Sequence, residues 1–108
     1  MNVITIVTAV VLGGAAQDIE LGFTPDFVKI LNATDRTELV YNSGDTVNTY
    51  GMAIGATGTK AKAAAAANGL KAKDITYSSG KGITVGASAT VLDTTADVLV
   101  IEAGFYDE

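Results

Sequence analysis

A single all-β domain, an antiparallel β-sandwich or barrel, is predicted for this 108-residue chain by three observations. Val, Ile and Thr supply 33 of the 108 residues, and branched side chains lose little freedom on a pleated surface. Short apolar runs alternate with Gly, Asn, Asp and Ser clusters, which is the punctuation of strands and turns. The length is that of one domain and long enough to bury a core without disulfides, of which there are none because Cys is absent. Strands are expected at 2–12, 26–33, 36–41, 47–54, 73–77, 82–86, 89–92 and 96–106.

Residues 1–16 read MNVITIVTAVVLGGAA, and within 3–12 only Thr5 and Thr8 interrupt the apolar run. The run is too short to cross a bilayer as a helix. No Lys or Arg precedes Lys29, so the basic start of a signal peptide is missing. Its Val, Ile and Thr content favours a buried strand. Residues 21–35 then read as a turn into a strand. Gly22 permits the bend, Pro25 fixes φ ahead of the strand, and Phe23 and Phe27 bracket the turn and are expected to pack together. Asn32, Ala33, Thr34, Asp35 and Arg36 form a hairpin loop, as do Asn42, Ser43, Gly44 and Asp45. Ser79, Gly80, Lys81 and Gly82 lead into the strand of Ile83, Thr84 and Val85.

Residues 51–70, GMAIGATGTKAKAAAAANGL, admit two readings. The alanine run with Lys60 and Lys62 favours a short helix, capped by Thr59 and stopped by Asn68 and Gly69. The rival is an extended small-residue loop. No large apolar side chain lies between Ile54 and Leu70, so the segment is expected to lack an anchor in its own core and to lie against another subunit. The contact residues would be Lys60, Lys62, Ala64, Ala66 and Asn68, with the acidic end, Asp107 and Glu108, as a second candidate. Residues 96–106 are largely apolar on both faces: Leu99, Ile101, Ala103 and Phe105 on one, Val98, Val100, Glu102 and Tyr106 on the other. A strand of that kind in a small domain suggests that one face meets a partner.

Composition removes most chemistry. Without Cys or His the chain lacks thiolate catalysis, the commonest metal ligands and the commonest general base, so no enzyme, cofactor or metal is expected. Gly51, Gly55, Gly58 and Lys60 look superficially like a phosphate loop, but the closing Gly-Lys-Ser/Thr order is broken. Asp93, Asp97 and Glu102 could be imagined as a glycosidase pair, yet the chain has 3 Phe, 4 Tyr and no Trp to supply sugar platforms. The net charge of −5 argues against a nucleic-acid partner. A membrane is not expected as a partner either. Lys60, Lys62, Lys71, Lys73 and Lys81 form a locally basic stretch, and residues 82–108 hold no Lys or Arg, so neighbouring subunits could dock by opposite charge.

One resemblance adds to these readings. The segment Gly22-Phe23-Thr24-Pro25-Asp26-Phe27-Val28-Lys29-Ile30-Leu31-Asn32-Ala33-Thr34-Asp35 resembles a pattern of small structural proteins of tailed-bacteriophage virions. Gly82-Ile83-Thr84-Val85-Gly86 and the terminal stretch from Asp97 to Ala103 are similar to the closing motif and last strand of the same proteins. The likeness spans roughly residues 18–106 and rests on structural punctuation, with no catalytic signature. This chain departs in having few aromatics after the Asn-x-Thr-Asp turn. The resemblance implies a capsid decoration, or cement, protein on the virion head, binding the major capsid protein lattice and copies of itself as a homo-oligomer. A tail, head-fibre or adaptor component, or a host-glycan-binding module, are the alternatives.

Overall fold

The computed structural model describes residues 2–10, 17–44, 50–63, 65–72, 81–86, 88–89, 91 and 97–105. Over them the β-rich composition is realised as an all-β fold with one 3-10 turn, Ala66–Asn68. The strands are β1 (Asn2–Val10), β2 (Gln17–Glu20), β3 (Phe27–Asn32), β4 (Thr37–Asn42), β5 (Met52–Ile54), β6 (Lys60–Lys62), β7 (Leu70–Ala72), β8 (Gly82–Val85) and β9 (Asp97–Phe105). They form a six-stranded sheet in the order β1-β9-β3-β4-β5-β6 and a three-stranded sheet in the order β2-β8-β7. Every pairing is antiparallel.

Strand alternation sorts the side chains of the large sheet. Val28 and Ile30 of β3, Leu39 of β4, and Leu99, Ile101 and Ala103 of β9 point inward and are buried. Leu70, Ile83 and Val85 of the small sheet meet them in one cluster, closed by Leu21, Ala89 and Val91. The two sheets therefore pack face to face as a sandwich. The radius of gyration, 12.6 Å, matches the ~13 Å of a compact domain of about 100 residues.

The turn into β3 forms as expected around Gly22, whose φ of 80° is open to glycine without penalty. Pro25 is fully buried, and β3 begins two residues later. The expected Phe23–Phe27 pair does not form. Phe23 packs on Phe105, with ring centroids 4.9 Å apart at 58°. Phe27 stands at the same parity as Lys29 and Leu31, opposite to the inward Val28 and Ile30, so the pleat takes it to the other side of the sheet.

Asn32 does more than begin a loop. It is completely buried, its amide Nδ2 donates to the Val91 carbonyl at 3.0 Å, and its Oδ1 accepts from the N–H groups of Thr34 and Asp35 at 3.0 and 2.9 Å. The Arg36 N–H closes the same turn on the Asn32 carbonyl at 2.7 Å.

Three expectations are corrected. The 89–92 segment is not a strand at Ala89 or Val91; the Ala89 N–H bonds back to Gly86 in a turn, and both side chains fill the core. Three short strands, β2, β6 and β7, were not expected, because none carries an apolar run. Of the helix expected over the alanine run, the described residues hold one short 3-10 turn, Ala66–Asn68, and the core-free loop does not form. Instead β5 and β6 form a hairpin, and residues 63–70 cross to the small sheet, held by their own backbone. Ala63 N–H bonds to the Gly51 carbonyl at 3.0 Å, Leu70 N–H to Tyr50 at 3.0 Å, and Gly86 N–H to Gly69 at 2.7 Å. Gly69 allows this approach: a Cβ there would run into the Tyr50 carbonyl and the Ala63 methyl. Small residues anchor this segment by admitting backbone where large side chains would have kept it out. The strand expected at 73–77 lies outside the described residues, as do positions 47–49 of that expected at 47–54, whose described part is a strand only over Met52–Ile54.

Candidate docking face

The pleat that buries one face of the large sheet turns the other outward, and nothing in the small sheet covers it. The register assembles that outer face in rows. One row runs Thr5, Glu102, Lys29, Val40, Met52, Lys62. The next includes Val100, Leu31, Glu38, Ile54 and Lys60. Among the described residues Val3, Val40 and Val98 are the exposed large hydrophobic ones, with 51%, 37% and 43% of their surface in water. Phe27, Leu31, Met52, Ile54 and Val100 are half-buried around them. An apolar field with a few charges is thus presented on the surface, a composition typical of contact sites.

The charges are arranged in opposition. The Lys29 ammonium lies 3.4 Å from the Glu38 carboxylate, with the lysine half exposed, and Glu102 stands opposite Lys29 in the register. A pair so exposed contributes little to stability and marks orientation instead. Two hollows open on this face. One, of about 350 Å³, is lined by Phe27, Lys29, Val40, Asn42 and Glu102 among others; a smaller one of about 50 Å³ lies between Lys29, Leu31, Val100 and Glu102. Tyr41 borders the larger hollow. Burial first, and the charge of Asp26 second, push its phenol above the ordinary tyrosine value.

Lys60 and Lys62 are exposed on β6, at the rim of the outer face. Asn68 is also exposed but sits in the 3-10 turn that packs on β7 and β8, so the structure does not gather it with the lysines. Ala66 belongs to the same turn. Ala64, Asp107 and Glu108 lie outside the described residues. The basic stretch is divided: Lys60 and Lys62 join the large sheet, Lys71 the small one, and Lys81 is exposed just ahead of β8. Of the imagined carboxylate set, only Glu102 has a described side chain, and it lies on the outer face. Among the described residues no three His, Cys, Asp or Glu side chains cluster as a metal site, and no helix is long and apolar enough to cross a membrane.

Val40, Met52 and Ile54 were not singled out from the sequence as surface residues, and Phe27 was expected to pack on Phe23 and not to face outward. Leu39, Val40 and Tyr41 read there as one continuous apolar run, and only the register of β4 with β3 shows that Val40 faces outward. The two-faced strand at 96–106 was the legible signal, and Val98 and Val100 are its outer half. Comparison with protein-family models, with curated proteins and with solved structures finds no match.

Proposed function

We propose that this chain is a virion structural protein, a capsid decoration protein that binds the major capsid protein lattice at the head surface and contributes no chemistry of its own. The observation that carries the reading is the open face of the large sheet, where Val3, Val40 and Val98 stay in water around an oppositely charged Lys29–Glu38 pair. The resemblance of residues 18–106 to phage virion proteins supports the same role. Contacts of this kind are individually weak, and a repeating lattice makes them effective through multivalency.

Two measurements test it. Copies per purified particle are expected in the hundreds, spread over the head; a handful at one vertex points to a tail or adaptor component instead. Heads stripped of the protein are expected to take up the wild-type chain and to lose it when Val40→Lys and Val98→Lys are combined. A second reading, a host-glycan-binding module, is favoured by one observation, the 350 Å³ hollow with Phe27 and Asn42 at its border. Saturable binding to a glycan array, abolished by Phe27→Ala, would replace the decoration reading.

A further inference from the structure

The large sheet ends in two unlike edges. β6 has three residues, Lys-Ala-Lys, and both lysines are exposed. Shortness and lysine are two of the means by which natural edges resist pairing with another chain. β1 has nine residues, NVITIVTAV, without charge, proline or glycine. Its register with β9 runs unbroken from Asn2↔Phe105 to Val10↔Asp97, so no bulge turns the strand away. Among the described residues no strand pairs with its other side. Alternate backbone N–H and C=O groups along that side therefore face outward, ready for a partner strand.

We infer that β1 pairs antiparallel with β1 of a second copy, joining two six-stranded sheets into one continuous sheet. Three features select this occupant. The first is charge. Each copy carries −5, and no charged residue occurs before Asp18, so two like-charged chains meet where neither has charge. The second is register. With Ile6 at the centre, all nine residues pair, and odd positions face odd ones. Val3 on the outer face and Ile4 on the core side then keep their sides in the joined sheet. The third is closure. A β1–β1 contact uses one edge twice and stops at a dimer, whereas β1 on β6 would repeat into a filament, which Lys60 and Lys62 oppose. The joined sheets also carry the apolar outer face across the seam, doubling the surface offered to a lattice.

This inference gives a strand to the self-association part of the assembly reading and rests on it only for its use. The purified chain alone tests it, so its failure leaves head binding standing, and failure of head binding leaves the dimer standing. Sedimentation across a concentration series is expected to give the dimer mass. Combining Val3→Lys with Thr5→Lys puts four lysines along the seam and is expected to give a monomer with an unchanged far-ultraviolet spectrum. Val40→Lys, away from the edge, is expected to leave the dimer intact. Because the chain has no Cys, single spin labels read the register without depending on the lysine variant. In the dimer, Cα atoms at Thr5→Cys would lie about 8 Å apart and at Val3→Cys about 21 Å, from the strand rise and spacing. The inference is overturned by a wild-type monomer at every concentration, by growth beyond the dimer, by a dimer that survives the two lysines, by one that Val40→Lys dissolves, or by labels closer at Val3→Cys than at Thr5→Cys.

Discussion

Asn32 is the single polar residue placed at the heart of the apolar cluster among the described residues, and its amide ties the β3–β4 turn to residue 91 far along the chain. Replacing it with Leu deletes that donor and the turn cap together, leaving the Val91 carbonyl unsatisfied. The expected loss is about 3 kcal/mol in denaturant unfolding, the upper end for a stranded buried group. Asn32→Asp separates charge from shape. An ionised carboxylate would face the Val91 carbonyl, while the protonated acid restores a donor. Burial raises the folded pKa of such a group, so the variant should be more stable at acid pH and lose stability as pH rises. A flat profile between pH 3 and pH 7, roughly the span of a raised carboxyl, would remove Asn32 from this role. Gly69→Ala probes the close approach of backbones; overpacking against the Tyr50 carbonyl is expected to cost about 3 kcal/mol. Tyr41 adds an alkaline counterpart. Its phenol is raised by burial, then by Asp26, so the neutral form is favoured in the fold. Its contribution is complete below the unfolded value of 10.0 and is lost as pH climbs through the higher folded value. Tyr41→Phe should therefore flatten the fall of stability at alkaline pH.

At the scale of elements, the open face and the sheet edge separate stability from function. Val40→Lys and Val98→Lys exchange exposed side chains in strands whose inward neighbours hold the core, so melting should move by less than about 0.5 kcal/mol each while head binding disappears. Loss of melting temperature in step with binding would mean that the face is structural. Removing residues 1–12 is the opposite case. It strips β1 from β9 along the whole nine-residue register and uncovers the edge of β9. Insoluble or unassembled protein is the expected outcome. A soluble truncation that still assembles would make the segment a dispensable arm.

For the molecule as a whole, the net charge of −5 and the apolar face predict different salt responses. Attachment through the open face should vary little with ionic strength, because apolar burial is not screened. Attachment through the acidic surface to a basic shell should weaken steeply as the Debye length shrinks from about 10 Å at 0.1 M to about 3 Å at 1 M. Head-binding isotherms across that range distinguish the two. The sandwich itself depends on long-range pairing, since β1 and β9 stand at opposite ends of the chain yet align residue for residue. Refolding on the millisecond-to-second scale is expected, as such topologies pay loop closure before contact.

Alternation and composition were enough to establish the all-β class, the two long strands β1 and β9, the β3–β4 hairpin and the turn at Gly22. Each of these is set by local rules: branched side chains on a pleat, and φ values that few residues adopt. What the tertiary structure decided was which side of each strand faces the core. Val40 and Leu39 are equally apolar neighbours, and only strand register puts one in water and the other inside. The same holds for the 63–70 crossing. Its small residues hold no large side chain that could announce a core position, and their use becomes visible only where the Tyr50 and Gly51 carbonyls come to meet them. β2, β6 and β7 escaped notice because edge strands draw their pairing from a neighbour's backbone, and backbone hydrogen bonding leaves no mark in the identity of the side chains.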